Sequence, residues 1–99
     1  MVTRDGEPVK ILLAEDDEDD RELFKAALKE VKPEVKVEMV DDGQKLMSYL
    51  TSTDEAHPDI IFLDINMPCK DGIQCLKEIR GNKKLDDVPV IMFSTSNQG

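Results

Sequence analysis

Four apolar runs divide the chain, and the polar stretches between them carry a different period. Residues 9–14 (VKILLA) are short and almost continuously apolar, the pattern of a strand buried on both faces. From about residue 18 to residue 31, Leu23, Phe24, Ala27, Leu28 and Val31 recur at helical spacing and predict a helix with one apolar face. Pro33 breaks the chain there. Val35, Val37 and Met39 alternate with Lys36 and Glu38, as in a strand covered more on one side. Asp41, Asp42 and Gly43 read as a turn, and Leu46, Met47 and Leu50 place a short amphipathic helix over residues 45–50. After the polar loop TSTDEAHP, residues 59–64 (DIIFLD) form a second buried-type strand that ends in an acid. NMPCKDG is a turn segment; Ile73, Leu76 and Ile79 then mark a third helix, closed by Gly81 and Asn82. Pro89 precedes a last strand, residues 90–93, which runs into Ser94, Thr95 and Ser96. The order βαβαβαβ predicts an α/β fold, a parallel sheet with helices on both faces. Phe24, Leu28, Met39 and Met47 are candidate core residues.

Composition narrows the setting. A chain of 99 residues is one domain, residues 1–99, with 39% hydrophobic and 35% charged residues, a globular rather than a disordered composition. The formal net charge of -9 argues against nucleic acid or an anionic membrane as a direct partner and favours cations or a basic protein surface. No apolar stretch approaches the ~20 residues needed to span a bilayer. The start, MVTRDGEPVK, has no apolar signal region, so a cytoplasmic location is expected. Cys69 and Cys75 match neither a CxxC redox pair nor a zinc spacing and read as reduced thiols.

Candidate chemistry begins with six consecutive acids, Glu15 to Asp20. Asp17 suits a helix N-cap, and Glu18, Asp19 and Asp20 fall in the first turn, where negative charge meets the positive end of the helix dipole. That leaves Glu15 and Asp16 at the carboxyl end of the first strand. In an open α/β sheet, ligands bind beyond the carboxyl ends of the strands. The first strand supplies Glu15 and Asp16 there, the third Asp64, and the fourth Ser94 and Thr95. If the first and third strands are neighbours, three carboxylates converge, and they cannot all ionise unless a cation offsets them or one stays protonated. A hard divalent ion with oxygen ligands answers this, and Mg2+ suits a site that also handles phosphate. An EF-hand does not fit, because Arg21 stands where that loop needs glycine and Ala27 where it needs glutamate. His57, before Pro58 in a loop, reads as exposed, and Lys45, Lys77 and Lys83 as solvated.

The set ILLAEDD, FLDINMP–KDG and IMFSTS, with its spacing, resembles the receiver domain of two-component response regulators, over about residues 9–96. Within that family the chain is similar to the stand-alone receivers that partner bacterial phytochromes. The resemblance implies a flavodoxin-like, doubly wound parallel sheet of strand order 2-1-3-4. It implies Asp64 as the phosphoacceptor, taking a phosphoryl group from a histidine kinase. Asp16 and Asp64 would ligate Mg2+ directly, Asn66 through its backbone carbonyl, and Glu15 mainly through water. Ser94 would be the hydroxyl that hydrogen-bonds the phosphoryl group, Thr95 would sit beside it and affect access by water, and Met67 would either gate the same mouth or simply pack. Output would pass to a downstream protein partner by surface contact, and the chain is not expected to be a conventional enzyme. A phosphatase-type hydrolase would want a second aspartate where Asn66 stands. Receivers of this family continue with a helix, a fifth strand and a fifth helix, and that strand ends in a lysine that pairs with the phosphate; with the sequence ending at Gly99, a C-terminally incomplete receiver is expected. Lys83 and Lys84 precede the fourth strand and cannot take that role. The alternative is therefore a pseudo-receiver, an interaction module that is not efficiently phosphorylated. The apolar fourth strand, VIMFS, would be an open edge, so a homodimer or strand-swapped oligomer through Val90 to Ser96 is a further expectation.

Overall fold

The computed structural model describes Gly6, residues 8–52 and residues 57–94. Along the chain it contains β1 (Lys10–Ala14), α1 (Glu18–Val31), β2 (Lys36–Val40), α2 (Gly43–Thr51), β3 (Ile60–Asp64), α3 (Gly72–Arg80) and β4 (Val90–Phe93), with one turn of 3-10 helix, Lys83–Leu85, between α3 and β4. All strand pairs are parallel, as the alternation of periods predicts, and the order is β2-β1-β3-β4, as the family resemblance implies. Ala14 at the end of β1 pairs with Val40 on one side and Leu63 on the other. The chain thus leaves β1 in opposite directions, which makes the carboxyl ends of β1 and β3 the switch point where ligands bind in such sheets.

Alternation along β1 separates two cores. Leu12 and Ala14 join Leu46 and Leu50 of α2, Ile61 and Leu63 of β3, Cys75 and Ile79 of α3, and Leu85 of the 3-10 turn. Val9, Ile11 and Val35 face the other way, against half-buried Phe24, Leu28, Val37, Ile60 and Phe62. Phe24 and Phe62 meet edge-on there, with centroids 5.2 Å apart.

The α1 face differs from expectation. Phe24 and Leu28 pack, but Ala27 is exposed, and Leu23 and Val31 are 69% and 70% exposed. Only one helix covers this side among the described residues, and its apolar arc is wider than the strip of β1 and β3 it reaches. Ile91, whose partner across β3 is Phe62, is uncovered for the same reason at 44%. Two smaller corrections follow from packing: His57 is half-buried rather than exposed, and Met39 lines a surface cavity rather than a core; Met67 is buried in the α2–α3 core. The 3-10 turn had no periodic signal; it inserts fully buried Leu85 and is tied down by Arg80, whose guanidinium donates to the carbonyls of Leu85, Asp86 and Val88.

Candidate metal centre

One step beyond the β1 ladder, the Glu15 N–H still donates to Val40 O at 3.0 Å. The next residue after Leu63, the partner of Ala14, is Asp64. Glu15 and Asp64 therefore emerge side by side from neighbouring strands, 1% and 0% exposed, with Asp16 half-buried beside them. One carboxylate oxygen of each lies within 4.8 Å of the other two. Glu15 Oε1 and Asp16 Oδ1 are buried with no hydrogen-bond partner among the described residues. Buried acceptors are normally satisfied, so two such oxygens aimed into a carboxylate cluster fit a hard divalent cation of the Mg2+ type.

The electrostatics agree. Burial, above all, pushes the Glu15 carboxyl up to about 7, and the charge of Asp64 adds to that; the Asp17 N–H, 3.0 Å from Glu15 Oε2, opposes both. The remaining acids of the run do what the helix start requires. Asp17 caps α1, accepting from the Asp20 N–H at 3.0 Å, and Glu18 and Asp19 stay exposed in its first turn.

Beyond β3 the turn folds back on Asp64. The Asn66 N–H donates to Asp64 Oδ1 at 3.2 Å, and Asn66 Nδ2 donates to Ser94 Oγ at 3.4 Å, so Ser94, exposed at the end of β4, joins the site through Asn66. Thr95 lies outside the described residues. Gly72 opens α3 directly behind Asp64: its N–H donates to Ile65 O, and a Cβ there would collide with Asp64 O and fall 2.8 Å from Ile65 Cα. Of the predicted site residues, then, Glu15, Asp16 and Asp64 form one cluster, and Asn66 and Ser94 form its rim. Lys83 and Lys84 lie in the 3-10 turn before β4, and Lys45 is exposed and paired with Asp41 at 2.8 Å. Sequence reasoning missed Gly72, the Asp17 N–H and Arg21, whose Nη1 donates to Glu15 O at 2.8 Å; the one available signal was that Arg21 is the first base after six acids.

Against known proteins, residues 11–99 match the family model described as the response regulator receiver domain. The response regulator Rcp1 of Synechocystis sp. is 34% identical over 101 residues, covering 98% of this chain and 69% of the relative. The probable C4-dicarboxylate response regulator DctR of Bacillus subtilis is 38% identical over 82 residues, 83% of this chain but 35% of its own length. Among solved structures, the phosphorylated cyanobacterial phytochrome response regulator RcpA superposes with a TM-score of 0.83 at 37% identity, over 92% of this chain and 68% of that one. The Mn2+-bound form of Rcp1 gives 0.82 at 34% identity, again over 92% and 68%.

Proposed function

The chain belongs to the response regulator receiver family, which places it in two-component signalling, and we propose that within it the chain is a phosphorylation-dependent switch. The observation that carries this reading is the buried convergence of Asp64 with Glu15 and Asp16 at the switch point of the sheet. An Asp64 carboxylate oxygen attacks the phosphorus of a phosphohistidine on a histidine kinase. The P–N bond breaks, its electron pair stays with the imidazole, and an acyl phosphate remains on Asp64. Phosphoryl transfer needs charge neutralisation and in-line placement more than proton chemistry. Asp16 and Asp64 directly, the Asn66 carbonyl, and Glu15 through water would hold Mg2+, which supplies that neutralisation when bound. The Asn66 N–H holds the Asp64 carboxyl, and Gly72 packs behind the Asp64 main chain. Ser94 leaves the Asn66 amide to hydrogen-bond the new phosphoryl oxygens, and this movement at the end of β4 alters the surface that a downstream protein reads. By the family resemblance, Thr95 would sit beside the phosphoryl group and affect access by water.

Support also comes from the neighbours: RcpA is described as phosphorylated, and Rcp1 has a form with Mn2+ bound. Among the described residues no helix is long and apolar enough to cross a membrane. Intact-mass spectrometry after incubation with a small acyl phosphate tests the proposal. Wild type should gain one phosphoryl group with Mg2+ present and none with chelator, and Asp64→Asn should gain none. A folded chain that never gains the group is the pseudo-receiver.

A further inference from the structure

Arg21 sits in the second turn of α1, half-buried, and among the described residues it forms no ion pair. Its guanidinium instead meets the main chain of the acid site, Nη1 donating to Glu15 O at 2.8 Å. That carbonyl lies past the last ladder pair of β1, so a side chain from α1 stands in for the missing strand neighbour. Arg21 also lines a cavity of about 310 Å3 with Met39, Val40, Asp41 and Lys45.

We infer that Arg21 is a positioning residue of the acid site: by holding the Glu15 carbonyl, it sets the plane of the Glu15–Asp16 peptide so that both side chains face Asp64. The peptide unit is rigid and planar, so fixing its oxygen restricts ψ of Glu15 and φ of Asp16, the two angles that orient the Cβ atoms of these residues. Glu15 has further restraints in its N–H to Val40 and its Oε2 to the Asp17 N–H. Asp16 Oδ1 has no hydrogen-bond partner among the described residues, so its aim depends on the backbone that Arg21 clamps. The role rests on the cation site proposed above.

The sign of one measurement separates this role from a plain charge. A guanidinium on the main chain of the acid site repels a divalent cation bound there, so removing it for electrostatic reasons alone tightens Mg2+ binding. Removing a clamp loosens it. Mg2+ affinity of the full chain by titration calorimetry, for wild type, Arg21→Met and Arg21→Lys, reads this directly, alongside thermal unfolding of each. Arg21→Met should bind Mg2+ about tenfold more weakly, the lower end of what losing an outer-shell partner costs. Arg21→Lys, which keeps the charge without the planar fork, should lose about threefold, and it decides the matter alone if Arg21→Met does not fold. Tighter binding by Arg21→Met, unchanged affinity with lowered stability, or Arg21→Lys equal to wild type overturns the positioning role while leaving the cation site standing. A folded wild type that takes up no Mg2+ overturns both.

Discussion

Glu15 is the residue where stability and function pull in opposite directions. A carboxyl raised from 4.5 to about 7 in the folded chain holds its proton more tightly than in the unfolded one. Its contribution is therefore favourable below pH about 4.5, shrinks as pH climbs through 7, and leaves an uncompensated buried charge above that. At 1.36 kcal/mol per pH unit the full swing is on the order of 3 kcal/mol. Urea unfolding of the Mg2+-free chain should show stability falling between pH 5 and pH 8, with Glu15→Gln removing most of that fall. Adding Mg2+ should restore stability mainly at the alkaline end, because below pH 7 the Glu15 proton competes with the cation. The acids that build this site were legible because each follows an apolar run of strand type. Arg21 was not, since its partner is a carbonyl, and a carbonyl has no residue type to read.

At the scale of elements, α1 began and ended where periodicity and capping chemistry said it would. Asp17→Ala should cost about 1 kcal/mol, read as a lower urea midpoint, since Asp17 caps the Asp20 N–H. The burial of that helix was less legible: spacing shows that Leu23 and Val31 share a face with Phe24 and Leu28, but not how much sheet that face will find. Gly72 shows the same limit from the other side. Its residue type suggested a turn, whereas the structure shows α3 starting against the Asp64 main chain with no room for a Cβ. Gly72→Ala should destabilise by roughly 1–3 kcal/mol, as overpacking does. Because the strain bears on Asp64, Mg2+ affinity should fall too; a variant that loses stability but binds Mg2+ like wild type would uncouple Gly72 from the site.

Among the described residues of the whole molecule the two faces of the sheet are unequal. α2, α3 and the 3-10 turn seal one face, while only α1 lies on the other, leaving Leu23 and Ile91 exposed. β4 pairs with β3 on one side only among the described residues. An apolar strand with an open edge recruits further strands, so sedimentation of this 99-residue chain should show association that rises with concentration, and Ile91→Lys should suppress it. A monodisperse wild type at high concentration would contradict pairing through Val90 to Ser96, of which Thr95 and Ser96 lie outside the described residues. A parallel sheet was legible from the alternation of periods, while its strand order came from the family resemblance; the balance between the two faces was not legible, since it depends on how far each helix reaches. The measurement that tests most directly whether those acids form one cation site is a two-dimensional amide NMR spectrum of the chain, with and without Mg2+. Dispersed peaks whose Mg2+ shifts centre on Glu15, Asp16, Asp64 and Asn66 are expected. A dispersed spectrum indifferent to Mg2+ would contradict the site and leave a receiver fold serving only as an interaction module.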